Sequence, residues 1–592
     1  MQSNRKPMML LRWTNARSKR SALRRTASKC CIWTLLAANL FSGCCYVPGG
    51  RCSDWWRNGF KVGPNYCRPA APVASEFIDD ANPEIRTDEQ HLSDWWRVFN
   101  DPVMNSLIQT AYQQNLTLRT AGARILAARA QLGIAEGNLF PQEQFGFGDY
   151  SRIKTSQNTA NTLAVNWFSD WTLGFTGSWE LDFWGRYRRA IEAADAELDA
   201  SVEDYDDVLV ILISDVASNY VQYRTFEQRI VYARANVQTQ KGAYDIAVDK
   251  FQHGATTERD TTQAKQLYEQ TAALIPVLEI AKRQAANRIC TLLGMPPTNL
   301  EATLGKGSGV PIAPRDVVVG VPADLIRRRP DVRRAERQVA AQSARIGVAV
   351  SDLYPHLSVL GTIGVEAEEF GDLFNTPGSM IGQISPGFRW DILNYGRLVN
   401  NVRVQDARFQ ELAYAYQDRV LTAGREVEDA IVSFLKSQEQ VKHLESGTSA
   451  ALRTVEITRD QYSEGAVDFT AVFVFEGDLT TQQDQLALAQ GNIALSLISV
   501  YRALGGGWQI RLANDGGNGE IIQPPAWEGE EIPNLPKTSE EQTPLLPPPS
   551  LKSTDGQGVN PITPPQDSGA AAVDAATPSS EPATRPAENN SK

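Results

Sequence analysis

No run of apolar residues in this 592-residue chain reaches the roughly 18 that a membrane-spanning helix needs, so helices are not expected to hold it in a bilayer. Histidine is scarce. His91, His253, His356 and His443 are scattered along the chain, and no Cys/His spacing suits a zinc site. The sequence has no phosphate-binding loop and no nucleophile elbow. Gly-rich GKGSGV at 305–310 falls between two halves of the chain and reads as a connector rather than a phosphate cradle. An enzyme has no constellation of residues to rest on here, and neither a cofactor nor a bound metal is expected.

Residues 1–43 lack any acid while carrying nine bases, and they end in a short apolar stretch from Ile32 to Phe41. That layout is a bacterial export signal. The residues after Arg24-Arg25 do not support a twin-arginine route, so general export is expected. Leu40-Phe41-Ser42-Gly43-Cys44 resembles a lipobox, which makes Cys44 the expected lipid attachment site, although Phe41 stands where leucine is usual. A plain signal with an incidental cysteine is the alternative. The formal charge of the whole chain is −11; without the nine bases of the signal, residues 44–592 stand at −20. Nucleic acid is therefore not expected as a partner.

Beyond the signal and Cys44, the cysteines are Cys45, Cys52, Cys67 and Cys290. A Cys52–Cys67 bridge would suit an oxidising compartment, but sequence does not fix pairing. Residues 521–592 hold 14 of the 32 prolines, and 515–592 carry twelve acids against four bases. So little apolar surface does not offset the entropy of ordering, so 509–592 is expected to be a disordered Pro-rich acidic tail.

The rest of the chain is said twice. WELDFWGR at 179–186 returns as WDILNYGR at 390–397, an offset of 211. Gly254 and Gly465 keep that offset, as do Leu293-Gly294 and Leu504-Gly505, while GIAEGNLFP (133–141) aligns with GVAVSDLYP (347–355) at 214. The pattern is an internal duplication. A Cys-containing segment at 44–92 precedes a first repeat at 93–300, a linker at 301–320 and a second repeat at 321–508.

Each repeat begins with strand periodicity. In 171–183, Trp171, Leu173, Phe175, Gly177, Trp179, Leu181 and Phe183 alternate with polar residues and glycine. The counterpart sets Ile384, Pro386, Phe388, Trp390 and Ile392 against Gln383, Ser385, Gly387, Arg389 and Asp391, with Pro386 suggesting an edge strand or bulge. An alternating segment precedes each, marked by Phe145 and Phe147 in one half and Leu357, Val359, Ile363 and Val365 in the other. Such strands match the roughly 9–11 residues that cross an outer-membrane bilayer in a barrel. Four strands cannot close a barrel, because the smallest membrane barrels use eight and an open edge in lipid leaves backbone groups unpaired. Either the strands are not in a membrane or several chains share one barrel.

After WGR the period becomes seven: Val216, Tyr223, Ile230, Val237, Tyr244 and Phe251, repeated as Val427, Phe434, Val441, Thr448, Val455 and Tyr462. No proline interrupts 188–250 or 399–470, which predicts helices of about 60 residues, on the order of 90 Å. Each breaks near Gly254 or Gly465, and a second helix returns, with a seam of Leu479, Leu486, Ile493 and Val500 in the second half.

With VGPNYCRP (62–69), DWWRVFNDPVMNSLI (94–108), VPADLIRRRPDVRRAERQ (321–338) and QYSEGAVDF (461–469), about 60–510 resembles the outer-membrane factor (TolC-like) family. It is most similar to the lipoprotein branch serving resistance-nodulation-division (RND) efflux pumps, the NodT/OprM-like channels. The resemblance implies a mixed α/β membrane duct. A homotrimer would contribute four strands per chain to one twelve-stranded β-barrel that continues into a long α-helical coiled-coil barrel. It implies as partners a periplasmic membrane-fusion adaptor, an inner-membrane RND pump and outer-membrane lipid. WELDFWGR then returns because each half needs one strand-to-helix junction.

In the family the periplasmic ends of the inner helices close the tunnel. Carried onto this sequence, Asp468 of the turn Gly465-Ala466-Val467-Asp468 stands where three copies would form an acidic, cation-attracting ring. Glu464 and Arg459 are further gate candidates, and a solvated turn acid is the plain alternative. VFVFEGDL at 472–479, the insert between Cys44 and Gly63 and the tail depart from the family pattern. A type I secretion duct would share the fold, and a structural periplasmic coiled-coil protein would explain the heptads but not the duplicated alternation. The substrate is not written in the sequence.

Overall fold

The duplication persists element by element in a computed structural model that describes residues 52–79, 81–86, 92–156, 167–305, 309–319 and 328–513. Cys44, the expected signal, residues 321–327 and the chain after 513 lie outside the described residues. In chain order the main elements are α1 (Pro102–Gln114), α2 (Leu116–Gly137), β1 (Glu143–Lys154), β2 (Trp167–Leu181), α3 (Arg186–Gln252) and α4 (Glu258–Leu292). The second half adds α5 (Pro330–Ser351), β3 (His356–Ala367), β4 (Met380–Arg389), α6 (Arg397–Ser463) and α7 (Phe469–Ala503). The long helices α3 and α6 have 67 residues each and the return helices α4 and α7 have 35, so every boundary repeats at 211. At 1.5 Å per residue the long helices measure about 100 Å.

Both long helices start at the arginine of WGR or YGR because the preceding glycine takes a left-handed backbone, φ +81° at Gly185 and +80° at Gly396. Asp182, expected to continue the strand, instead turns back to accept hydrogen bonds from the amides of Tyr187 and Arg188 at 2.9 and 3.2 Å. A carboxylate there satisfies orphan amides and complements the helix dipole, so β2 ends at Leu181. At the far end Gly254 and Gly465 stop the helices. The amides of Ala255 and Ala466 close back onto the carbonyls of Lys250 and Gln461, each at 2.8 Å.

In α6 most of the heptad row stays buried to the tip, through Val455 and Tyr462, whereas in α3 it holds near the middle and drifts towards the tip. Val216, Tyr223 and Ile230 are buried, whereas Phe251 is 44% exposed and burial passes to Ala243 and Ala247. An α-helix at 3.6 residues per turn slips about 20° per heptad against a 3.5 repeat, which moves the seam to smaller neighbours.

Most of the family motifs turn out to be clamps. In DWWRVFNDPVMNSLI, Trp95, Trp96, Phe99, Met104 and Ile108 enter the main core with Ile213 of α3, Phe434 of α6 and Tyr501 of α7, and Trp95 stacks on Tyr501. Asp101 caps α1 and accepts a 2.7 Å hydrogen bond from the Tyr220 hydroxyl. In VGPNY, Arg189 donates to the carbonyls of Val62 and Gly63, and Gly63 lies against Gly347 of α5, where a Cβ would come within 2.4 Å of backbone. Arginines 333, 334 and 337 reach Glu203, Asp204 and Asp199 of α3. Buried Asp331 is held by Arg329 and Arg419. Burial pushes its carboxyl up, but the hydrogen bonds and charge of those arginines outweigh that and hold it below the usual range.

Two expectations need correction, and one open pairing is answered. The linker is not a bare connector: Glu301–Leu304 is helical, Val317–Val318 pairs in parallel with Ile85–Arg86, and Leu300, Leu304, Val317 and Val319 are buried. Cys67 is a free, exposed thiol and Cys290 a free, buried one, so no Cys52–Cys67 bridge forms here. The folded body continues past 508. Ile510–Ala513 is helical, Arg511 pairs with fully buried Asp206 at 2.8 Å, and Arg333 covers the Trp508 ring at 4.5 Å.

Candidate functional site

Strands β1, β2, β3 and β4 form one antiparallel sheet in that order. Register puts Leu173, Phe175 and Trp179 of β2 on one face with Val365, Ile363 and Val359 of β3 and Met380, Ile384 and Phe388 of β4. That face is bare: Phe175 is 71% exposed, Ile384 80% and Phe388 71%. On β1 it carries Gly146 and Gly148, which lie against the Phe175 ring and Leu173. Phe145 and Phe147 pair with Thr176 and Gly174, so they point to the opposite face. That second face also carries Ser358, Thr362, Glu180 and Gln383, with the Thr176 and Thr362 hydroxyls 3.1 Å apart.

Where strands become helices, the indoles of Trp179 and Trp390 donate to the carbonyls of Leu139 and Leu353 at 3.2 and 3.1 Å. Amphipathic rings at such a border mark a membrane interface. Pro386, facing Val359, is on edge strand β4 as its missing amide requires. Among the described residues β1 and β4 have no further strand partner, so the sheet ends in two open edges below an apolar face. No described helix is long and apolar enough to cross a membrane.

At the other end, the two hairpins α3–α4 and α6–α7 meet near their turns. Asp468 precedes α7, makes no capping hydrogen bond, and stands 3.6 Å from Arg259 of α4. The side chains are 58% and 61% exposed, so this is a solvated ion pair between hairpins rather than an isolated turn acid. A deeper link joins the same hairpins: the Lys250 ammonium donates to the Tyr462 carbonyl and sits 4.3 Å above its ring. Glu464 closes α6 and is exposed. Arg459 lies one turn back, 3.8 Å from Glu476 of α7. The structure thus brings Asp468 to Arg259 and Arg459 to Glu476, and leaves Glu464 at the surface.

The model of the outer membrane efflux protein family matches residues 107–295 and 321–506, which are the two repeats. The chain belongs to the outer membrane efflux protein family. It is 32% identical over 461 residues to nodulation protein T of Rhizobium leguminosarum bv. trifolii, covering 76% of this chain and 95% of that one. It is 29% identical to the pyoverdine export outer membrane protein OpmQ of Pseudomonas putida, over 70% of this chain and 88% of that one. Among solved structures, the outer-membrane channel OprN matches with a TM-score of 0.72 at 30% identity, covering 76% of this chain and 99% of OprN. The CmeC outer membrane channel of Campylobacter jejuni shares the fold, with a TM-score of 0.70 at 24% identity over 76% and 95%. This outer membrane efflux protein is therefore a channel and not an enzyme. Its four antiparallel strands and paired long helices are its share of the channel wall.

One residue of the hairpin ends escaped the sequence reading. Glu476 is buried in the α6–α7 seam, and burial raises its carboxyl from 4.5 to about 7 against the lowering charge of Arg459. The signal was there to find: Phe469, Val472, Glu476 and Leu479 keep a three-four spacing, and the acid interrupts an apolar row. Among the described residues no cluster of histidine, cysteine or acid is placed to hold a metal ion.

Proposed function

We propose that three copies of this chain close one twelve-stranded barrel in the outer membrane and one helical tunnel below it, forming the exit duct of a tripartite efflux system. The observation that carries this is the four-stranded sheet with a bare apolar face and two open edges. Lipid satisfies the face, but only another chain's strand satisfies the edges, and twelve is an even strand number. Cys44 carries the lipid anchor, and the hairpin ends meet a periplasmic membrane-fusion adaptor that links the duct to an inner-membrane RND pump. The cargo is small molecules or ions: similar proteins are named for pyoverdine export and, in CusC of Escherichia coli, for cation efflux.

The gate lies at the hairpin ends. Three Asp468 carboxylates around one axis draw cations, and each Asp468–Arg259 pair, with Lys250 on Tyr462, holds α6–α7 against α3–α4 in the narrow state. The exposed pair contributes at most about 1 kcal/mol, so its loss biases the gate without unfolding it. The test is the mass of the purified protein together with its single-channel conductance in planar bilayers. Trimers with small, cation-preferring openings are expected, and Asp468→Ala should enlarge the openings and weaken the preference. Monomers without conductance would sink the shared barrel.

A further inference from the structure

Along the α6–α7 seam, α7 presents Phe469, Val472, Glu476 and Leu479, all buried. Three are apolar and the fourth is a carboxylic acid. Glu476 is 3% exposed, and neither of its carboxyl oxygens accepts a hydrogen bond. The half-exposed Arg459 of α6 is the charge that faces it, at 3.8 Å, which is too long for a hydrogen bond. The other charged groups nearby are engaged elsewhere, and the remaining neighbours are apolar or neutral. One turn towards the tip, Val472 packs with Ala243 and Ala247 of α3 and Ala264 of α4. Gly477 faces Leu267 of α4, and one turn away from the tip Thr480 accepts from Gln240 of α3. Lys250 of α3 is held on Tyr462, and Asp260 of α4 by Thr256 and Arg259.

A carboxylate in such a place, charged and without hydrogen bonds, is strongly disfavoured, whereas the neutral acid is tolerated. We propose that Glu476 is a gating residue of the duct: the packed tip holds it as a neutral acid, and its ionisation loosens the α6–α7 seam towards the open state. The proposal rests on reading the hairpin ends as the gate. Because the carboxyl is raised in the packed state, packing is favoured fully below its ordinary 4.5 and that advantage is lost as the pH rises through about 7. Between those values each pH unit shifts the equilibrium about tenfold.

Single-channel recordings of the full-length protein from about pH 5 to about pH 8 span that window. Wild type should gain open probability as the pH rises, while Glu476→Gln, neutral throughout, should stay at the low-pH level. Arg459→Gln removes the attracting charge and should move the step to higher pH. Glu456→Gln, an exposed acid of the same hairpin paired with Arg453, should keep the wild-type step. A step that survives in Glu476→Gln overturns the proposal, as does a wild type whose openings ignore pH. If none of the proteins conducts, the duct reading itself falls and the proposal with it. If Glu476→Gln alone fails to insert, thermal unfolding in detergent decides. The variant must gain stability relative to wild type as the pH rises, and a constant difference overturns the proposal.

Discussion

Gly185 and Gly396 occupy matching positions and share one left-handed backbone, yet their surroundings differ. A Cβ at Gly185 would come 2.7 Å from the Cα of Lys61, in the strap of residues 52–79 that precedes the first repeat, whereas at Gly396 the nearest group is the Asn400 amide at 3.7 Å. An alanine at either site meets the left-handed penalty of about 1–2 kcal/mol. At Gly185 it must also push a backbone segment aside. Gly185→Ala is therefore expected to destabilise the protein clearly more than Gly396→Ala, with a total of roughly 2–4 kcal/mol against about 1–2. Denaturant unfolding of the two variants measures the gap, and equal losses would show that the strap yields freely. The repeated WGR is thus one requirement of local geometry, met in two different environments.

At the scale of elements, the short C-terminal helix is tied to α3 by one buried pair. Burial raises the Asp206 carboxyl, and Arg511, with Arg333 behind it at 3.6 Å, pulls it down. A chain ending after Gly507 loses Arg511 and leaves Asp206 with the more distant arginine, an expected loss near the lower end of about 3–5 kcal/mol. A chain ending after Ala513 keeps the pair and should unfold like the full-length protein; equal stability of both truncations would mean that the pair adds nothing. The sequence marked the strands, the long helices and their stops because alternation, heptads and paired glycines are local signals. The folded backbone reveals that Asp182 turns back to cap α3, and only sequence-distant partners reveal that Asp206 waits for Arg511 and that Asp468 finds Arg259. For that reason residues 509–513 were expected outside the folded body, and Asp468 showed no partner in the sequence. Arg333, Arg334 and Arg337 likewise meet a row of acids on another helix, which no spacing within their own motif announces.

For the whole molecule, the two sheet faces must meet different solvents. The register assigns Phe175 and Ile363, directly paired, to the bare apolar face, and Thr176 and Thr362 to the other. Both pairs sit near the middle of their strands, at the depth where lipid is least tolerant of charge. If three chains share a barrel, Phe175→Arg places three guanidinium groups in hydrocarbon, each costing about 2–4 kcal/mol at the midplane, and should lower trimer yield in membranes. Thr176→Arg, one residue away, places its charges in water inside the duct. It should leave the trimer intact while narrowing the pore and shifting selectivity away from cations. Trimer recovery and single-channel conductance of the two variants separate the faces. If Thr176→Arg disrupts assembly and Phe175→Arg does not, the sheet is inside out relative to the proposed barrel. If both are harmless, the strands do not cross a membrane and the open edges need another explanation.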